Sequence, residues 1–165
     1  MRTLFILRHA KSSWKDANLS DFDRPLNARG ERDAPIMATR MREAGHRPDL
    51  IVSSRARRAL ETARVFADTL ELDPGALRDT EALYLARVAD MIELIRSAAD
   101  DCERLMIVGH NPGLTTLINT LGRVELDNLP TCGVFCLQFD IDRWQDLDPA
   151  SPGDVTWYDL PRNAR

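Results

Sequence analysis

Two of the protein's three histidines directly follow apolar runs that are typical of β-strands. His9 comes after Thr-Leu-Phe-Ile-Leu and an arginine, and His110 follows Leu-Met-Ile-Val-Gly and precedes Asn-Pro-Gly. Imidazole is the side chain best suited to nucleophilic attack and proton transfer near neutral pH. Two imidazoles at strand ends therefore indicate a functional site.

A third strand-like run, Leu50–Ser53, leads into a segment that carries Arg57, Arg58 and Thr62. In open α/β sheets, ligands bind at the carboxyl ends of the parallel strands. We therefore expect the two histidines and at least two arginines to share one edge of the sheet. Arginine forks and helix amino-termini bind phosphate oxygens, and a neutral imidazole can attack phosphorus in line. Nearby arginines would lower the histidine pKa, and a second imidazole could stabilise charge on the equatorial oxygens.

Each of these features also has a simpler interpretation when it is taken alone. A single histidine at a strand end is more often structural, and Arg-Ala-Arg-Arg at a helix start is usually a solvated face. His-Asn-Pro-Gly can be a capped turn, in which Asn111 is the N-cap and Pro112 the first helical residue. A zinc site would need a third ligand and electronegative surroundings, which the arginines oppose. We therefore expect no metal and no cofactor.

Helical periodicity separates the strand-like runs. Three apolar stripes have one-face spacing: Ala34, Met37, Ala38 and Met41; Leu60, Ala63, Ala67 and Leu70; and Val88, Met91, Ile92, Ile95 and Ala99. A fourth helix is expected from Leu114 to Gly122. Alternating strands and helices predict an α/β three-layer sandwich, with a mostly parallel central sheet flanked by helices.

The carboxy-terminal part of the chain has a different pattern. Residues Gly133–Ile141 and Val155–Leu160 have strand character and no helix between them, which predicts an antiparallel edge hairpin. There is no repeat and no linker, so residues 1–165 are expected to form a single domain. Residues 10–30 lack periodicity, and a loop of that length is usually functional or mobile.

Composition restricts the class of protein and its partners. With 22 basic and 26 acidic residues, the net charge of −4 gives no indication of nucleic acid or an anionic membrane as partner. No signal peptide or membrane-spanning run is apparent, so we expect a cytoplasmic protein, and we expect it to be monomeric. Cys102, Cys132 and Cys136 lack metal-binding spacing and are expected to be reduced, partly buried thiols.

Three motifs resemble those of the histidine phosphatase superfamily, which has the phosphoglycerate mutase-like fold. Leu-Arg-His-Ala at Leu7–Ala10 resembles its Arg-His-Gly signature, with Ala10 in place of the usual glycine. The segment Ser53–Ala63 resembles the second motif, whose arginine maps onto Arg58, and Val-Gly-His-Asn-Pro-Gly matches the third. Arg-His-Ala-Lys-Ser-Ser-Trp, Asp-Arg-Pro-Leu-Asn-Ala-Arg-Gly and the short chain are most similar to SixA-type phosphohistidine phosphatases.

The resemblance implies roles for individual residues. His9 would be the nucleophile, and Arg8, Arg58 and His110 would form the phosphate pocket. Ser12 stands where many relatives have a serine that contacts substrate, and Lys11 or Lys15 could extend a basic rim. Asn111 either supports the pocket or only caps its helix. Arg55 and Arg57 fall outside the family's arginine position and are interpreted as surface charge, and His46 belongs to neither role.

Besides a nucleophile and a phosphate pocket, the resemblance implies an acid that protonates the leaving oxygen. Glu81 lies where superfamily members commonly carry it, but it is equally interpreted as an exposed charge before a helix. SixA-type relatives depend less on this acid, because a phosphorylated imidazole has a better leaving group than an alkoxide.

The predicted function is a metal-independent phosphatase with a covalent phosphohistidine intermediate, acting on phosphohistidine of a signalling protein. A phosphomonoesterase for small phosphate esters is the first alternative, and a non-catalytic phosphate-binding module is the second. A mutase is disfavoured because no segment that would cover the pocket is recognisable.

Overall fold

The apolar run that precedes His9 forms a central strand of a six-stranded sheet in the computed structural model, which describes residues 1–162. The strands are β1 (Arg2–Arg8), β2 (Leu50–Ser54), β3 (Leu77–Thr80), β4 (Arg104–Gly109), β5 (Val134–Phe139) and β6 (Asp154–Asp159). The helices are α1 (Ala28–Glu43), α2 (Arg57–Thr69), α3 (Val88–Arg96) and α4 (Gly113–Gly122).

The strand order is β3-β2-β4-β1-β5-β6. The first four strands in this order are parallel, while β5 runs antiparallel to β1 and β6 antiparallel to β5. The predicted mostly parallel sheet with an antiparallel carboxy-terminal hairpin at one edge is therefore confirmed. The short edge strand β3 is not evident from the sequence. Its first and last residues are half-buried and its two middle residues are exposed, so it has no apolar run.

Two apolar cores, one on each face of the sheet, make the fold a three-layer sandwich. Leu4 and Ile6 of β1 point into the core beneath α3 and α4. Phe5 and Leu7 alternate with them and pack beneath α1 and α2. This alternation follows from the period of two along a strand, and it explains why β1 is apolar throughout.

The four residues of the stripe predicted for α1 are all fully buried. The stripe predicted for α2 is only partly right, because Leu60 and Ala67 are half-exposed. The face of α2 that packs on the sheet is instead centred on Ala59, Ala63 and Phe66. The buried face of α2 differs from the predicted stripe because its first two turns also bury Arg58 and Thr62, which belong to the polar site described below.

The carboxyl ends of β1 and β4 lie side by side. Arg8 pairs with Gly109 in the parallel register, so the next residues, His9 and His110, leave the sheet together. β2 lies on the other side of β4 and ends at Ser54. The chain from residue 10 to residue 27 has little regular structure apart from a short 3-10 turn at Asp21–Asp23.

All three cysteines are buried free thiols, as predicted. Burial raises the pKa of the Cys102 thiol to about 11, which disfavours its reactive thiolate form. Within residues 1–162, no helix has the length and apolar character that a membrane crossing requires.

Candidate active site

His9 lies at the floor of a cleft at the carboxyl end of the sheet, and its ring is held in one tautomer. Its Nδ1 lies 2.7 Å from the carbonyl oxygen of Ala10. A carbonyl can only accept a hydrogen bond, so Nδ1 carries the proton and Nε2 keeps its lone pair. The Nε–H group of Arg58 points to this Nε2 at 3.4 Å, which agrees with an unprotonated Nε2.

The backbone that carries His9 is fixed by neighbouring elements. The His9 amide donates to the carbonyl of Gly109 at 3.2 Å, and the Ala10 amide donates to the Thr62 hydroxyl at 3.0 Å. That hydroxyl donates in turn to the carbonyl of Arg58 at 2.7 Å. Ala10 is fully buried and has no positive φ, so this backbone does not require the glycine usual in the resembling family. Thr62 thereby joins the loop that carries His9 to the first turn of α2.

Arg58 is almost fully buried and has three of its five N–H donors engaged. Besides the contact with His9, Nη1 donates to the Asp21 carbonyl at 2.6 Å and Nη2 to the Asp21 carboxylate at 3.0 Å. The neighbouring arginines behave differently. Arg55 pairs with Asp79, Arg57 pairs with Glu61, and both are about half-exposed. The interpretation of Arg55 and Arg57 as surface charge is confirmed.

His110 faces His9 across the cleft, with 5.2 Å between the ring centroids. Its Nε2 lies 2.8 Å from the hydroxyl of Ser54 at the end of β2. Its Nδ1 is buried and has no hydrogen-bond partner among the described residues. When the Ser54 hydroxyl donates to Nε2, the Nδ1 of the neutral ring carries the proton and is available as a donor.

Arg8 lines the same cleft as the two histidines. Its Nη1 donates to the Leu129 carbonyl at 2.9 Å, whereas its Nε is buried without a partner in the described part of the chain. A buried donor without a partner carries a desolvation cost, which a bound acceptor would offset. The unpartnered nitrogens of Arg8 and His110 would both suit the oxygens of a phosphoryl group.

The segment 10–27 forms one wall of the cleft and supplies residues that the sequence did not identify. Asp21 accepts hydrogen bonds from three side chains: Arg58, Arg24 at 2.8 Å and the Tyr84 hydroxyl at 2.6 Å. Arg24 also donates to the hydroxyl of Ser12, and its guanidinium stacks 3.2 Å from the centre of the Trp14 ring. The lack of periodicity indicated a functional or mobile segment, but it did not single out Asp21 or Arg24, and nothing in the sequence pointed to their partner Tyr84, which lies outside the segment.

Ser12 lies in the cleft wall as predicted, but it is buried beneath Arg24. Asn111 also lines the cleft, and its side chain is fully used by its surroundings. The Asn111 oxygen accepts from the amide of Thr115 at 3.1 Å, and its nitrogen donates to the Leu129 carbonyl at 2.9 Å. Asn111 therefore braces α4 against the loop at Leu129. The predicted capping position is wrong by one residue, because α4 begins at Gly113 with Pro112 as its N-cap.

Glu81 does not line the cleft. Its side chain is 76% exposed and lies 3.6 Å from Arg55, on the outer side of the turn before α3. Lys11 lines the cleft, so it is placed to extend the basic rim, whereas Lys15 does not line it. His46 lies elsewhere, against the rings of Phe5 and Trp157.

Burial and positive charge hold both histidines of the cleft in the neutral form. Burial is the main cause that lowers the pKa of His9 to about 3; the hydrogen bond with the Ala10 carbonyl opposes it, and electrostatic interactions with His110, Arg58 and Arg8 lower it further. Burial and the charge of Arg58 lower the pKa of His110 to about 4. Burial alone would raise the pKa of Asp21, but the hydrogen bonds from Tyr84, Arg24 and Arg58 together lower it below its usual value. The cleft therefore combines neutral imidazoles, guanidinium groups and one ionised carboxylate.

This arrangement has the chemistry of an oxyanion site. The cleft has a volume of about 390 Å³. It offers a nucleophilic nitrogen surrounded by donors that suit the oxygens of a phosphoryl group. Within residues 1–162, there is no group of three or more His, Cys, Asp or Glu side chains that could hold a metal ion.

The chain is similar to a known protein family and to proteins of other organisms. The family model of the histidine phosphatase superfamily (branch 1) matches residues 4–83, from β1 to the turn before α3. An uncharacterised protein of Mycobacterium tuberculosis is 32% identical over 94% of this chain and 100% of its own length.

Solved structures of SixA proteins superpose over nearly the whole chain. The SixA protein of Agrobacterium tumefaciens has a TM-score of 0.80 at 28% identity, over 97% of this chain and 98% of that one. A protein histidine phosphatase SixA complexed with tungstate has a TM-score of 0.79 at 21% identity, over 96% and 97% of the two chains.

The sheet order and these superpositions define a protein of the phosphoglycerate mutase-like fold. The chain belongs to the histidine phosphatase superfamily, and its similarity to the SixA protein of Agrobacterium tumefaciens supports a phosphatase.

Proposed function

We propose that this protein is a metal-independent phosphatase in which His9 forms a covalent phosphohistidine intermediate, and that its substrate is phosphohistidine on another protein. The proposal rests on the position of the proton on the His9 ring. Its Nδ1 proton is committed to the Ala10 carbonyl, so the lone pair of Nε2 faces a cleft lined by Arg8, Arg58 and His110.

In the first step, the Nε2 lone pair of His9 attacks phosphorus. The bond between phosphorus and the substrate nitrogen breaks, and its electron pair goes to the leaving imidazole. Arg8, Arg58 and the Nδ1–H of His110 stabilise the charge that spreads over the equatorial oxygens. In the second step, water attacks phosphorus, the bond to Nε2 breaks, and the electron pair returns to His9. Both hydrogens of the water remain on the phosphate product.

Among the described residues, no protonated carboxylic acid lines the cleft, and this favours phosphohistidine over an alcohol ester. An alkoxide needs a proton as it leaves. Asp21, the carboxylate that lines the cleft, is held ionised by its three donors, and Glu81 lies outside the cleft beside Arg55. A phosphohistidine that is protonated on its distal ring nitrogen leaves as neutral imidazole and needs no such donor.

The rim of the cleft also suits a substrate on a protein surface. Trp14 and Leu85 line the cleft and are 73% and 59% exposed. Exposed aromatic and apolar side chains at a site entrance are typical of protein contact surfaces. A SixA protein histidine phosphatase with this fold binds tungstate, which is an oxyanion, and this supports an oxyanion ligand for the present protein.

A phosphomonoesterase for small phosphate esters is the second candidate. The open cleft of about 390 Å³ favours it, because that volume is within the range of small-molecule sites. The two functions differ in the leaving group, so they can be separated by substrate.

The test compares the wild type with His9→Ala and with His46→Gln, which alters the histidine outside the cleft. Each is incubated with a phosphohistidine protein and with an aryl phosphate, in the presence of a chelator. We expect wild type and His46→Gln to release phosphate faster from phosphohistidine, and His9→Ala to be inactive. Rapid quenching should trap an acid-labile, alkali-stable phosphate on His9.

Each part of the proposal can fail separately. If the wild type hydrolyses neither substrate, the protein is not a phosphatase. Loss of activity on addition of chelator would refute the metal-free mechanism, and faster turnover of the aryl ester would favour the second candidate.

A further inference from the structure

We propose that a second, basic cleft beside the catalytic one binds acidic residues that flank the phosphohistidine of the substrate protein. This inference rests on the proposed function. The basic cleft has a volume of about 450 Å³ and is lined by four cationic side chains: Arg8, Lys11, Arg29 and Arg162.

The charge of the basic cleft differs from that of the whole chain. The chain has a net charge of −4, yet none of the described residues that line this cleft is acidic. One cation is partly balanced by a neighbour outside the lining, since Arg29 lies 3.5 Å from Asp33. A local cluster of positive charge on an acidic protein attracts anionic partners, and we interpret the basic cleft in this way.

The basic cleft is continuous with the catalytic cleft. Arg8, Lys11 and Thr131 line both. A polypeptide that places its phosphohistidine over His9 therefore has a direct path past Lys11 into the basic cleft. Along an extended chain, successive residues advance by about 3.3 Å, so residues close to the phosphohistidine would reach the next cation.

The character of the lining favours a peptide with several carboxylates over one compact anion. The phosphoryl site has buried donors, whereas Lys11 and Arg162 are exposed and Arg29 is half-exposed. Pro130, Leu160 and Pro161 supply apolar wall between the charges. Dispersed exposed cations with apolar wall between them suit acidic side chains on a polypeptide that also buries apolar surface.

The test uses two synthetic phosphohistidine peptides of equal length, one flanked by Asp and Glu and one by Asn and Gln. The test variant is Arg29→Gln with Arg162→Gln, since neither arginine lines the catalytic cleft. The control is Arg87→Gln, because Arg87 lines neither the catalytic cleft nor the basic cleft. Arg87 pairs with Asp90 at 3.5 Å, the same distance as between Arg29 and Asp33, although the Arg87 side chain is more exposed than that of Arg29.

We expect the wild type and Arg87→Gln to have a kcat/KM roughly three- to tenfold higher for the acidic peptide at low salt, as suits two exposed ion pairs. Added salt should reduce this preference. The double variant should lose the preference and keep its wild-type rate on an aryl phosphate.

Two results would overturn the inference and leave the proposed function intact: equal rates of the wild type on both peptides, or an undiminished preference in the double variant. Hydrolysis of the aryl phosphate without hydrolysis of either peptide would refute the proposed substrate, and with it this inference.

Discussion

Replacement of Arg58 by alanine tests the electrostatics of the site most directly. Arg58 is 4% exposed, and its Nε–H lies 3.4 Å from the nitrogen proposed to attack phosphorus. Two of its N–H donors are not engaged by His9 or Asp21, and these are proposed to hold the phosphoryl oxygens. The variant removes a fixed positive charge at the point where negative charge develops.

The expected loss follows from the distance between the charges. Two unit charges about 4 Å apart interact with about 4 kcal/mol at an effective dielectric constant near 20. Since about 1.4 kcal/mol is tenfold in rate, the upper limit is a loss of about 10³ in kcat. Removal of one oxyanion donor in other enzymes costs about 10²–10³ in kcat, so we expect a loss in this range.

The assay is steady-state hydrolysis of an aryl phosphate, with Arg57→Ala as the matched control. Arg57 precedes Arg58 on the same helix but is exposed and pairs with Glu61. We expect Arg57→Ala to keep nearly full kcat. Circular dichroism establishes that both variants are folded. A loss below tenfold for Arg58→Ala, or an equal loss for the control, would refute the reasoning.

Three further predictions concern titration, the absent acid and packing. The rings of His9 and His110 should show the NMR shifts of neutral imidazole down to about pH 5, because their pKa values are lowered to about 3 and about 4; titration near 6.5 would contradict this. The unfolded chain takes up these protons near pH 6.5, so the free energy of unfolding should fall between pH 6.5 and 4, less steeply in a double His→Gln variant. Glu81→Gln should change kcat on a phosphohistidine peptide by less than about twofold, and a tenfold loss would give Glu81 the acid's role. Gly30→Ala should lower the free energy of unfolding in urea by about 1–3 kcal/mol, since its Cβ would overlap the Lys11 carbonyl; an unchanged midpoint would refute the contact.

The strand ends were the most predictable part of the site. Parallel strands terminate at a common edge, so apolar runs ending at His9 and His110 were sufficient to expect both rings together. The register that pairs Arg8 with Gly109 makes them immediate neighbours. The strand ends alone did not distinguish Arg58 from Arg57; the resemblance to the second motif of the histidine phosphatase superfamily did.

The loop residues of the site were not predictable in the same way. Asp21, Arg24 and Tyr84 meet only because the segment 10–27 folds over the cleft and touches the turn before α3. No periodicity encodes such contacts between residues distant in the sequence. For Glu81 the sequence was misleading. Its position in the sequence suggested the acid that protonates the leaving oxygen, but its side chain lies beside Arg55, outside the cleft.

By itself, the sequence determined the α/β class, the antiparallel hairpin, and the convergence of histidines and an arginine at one edge, because hydrophobic period and strand direction are local properties. Only the tertiary structure decided the tautomer of His9, the carboxylate bound to Arg58 and the position of the basic cleft. These depend on hydrogen bonds and burial between segments far apart in the chain, which the pattern of residues along it does not specify.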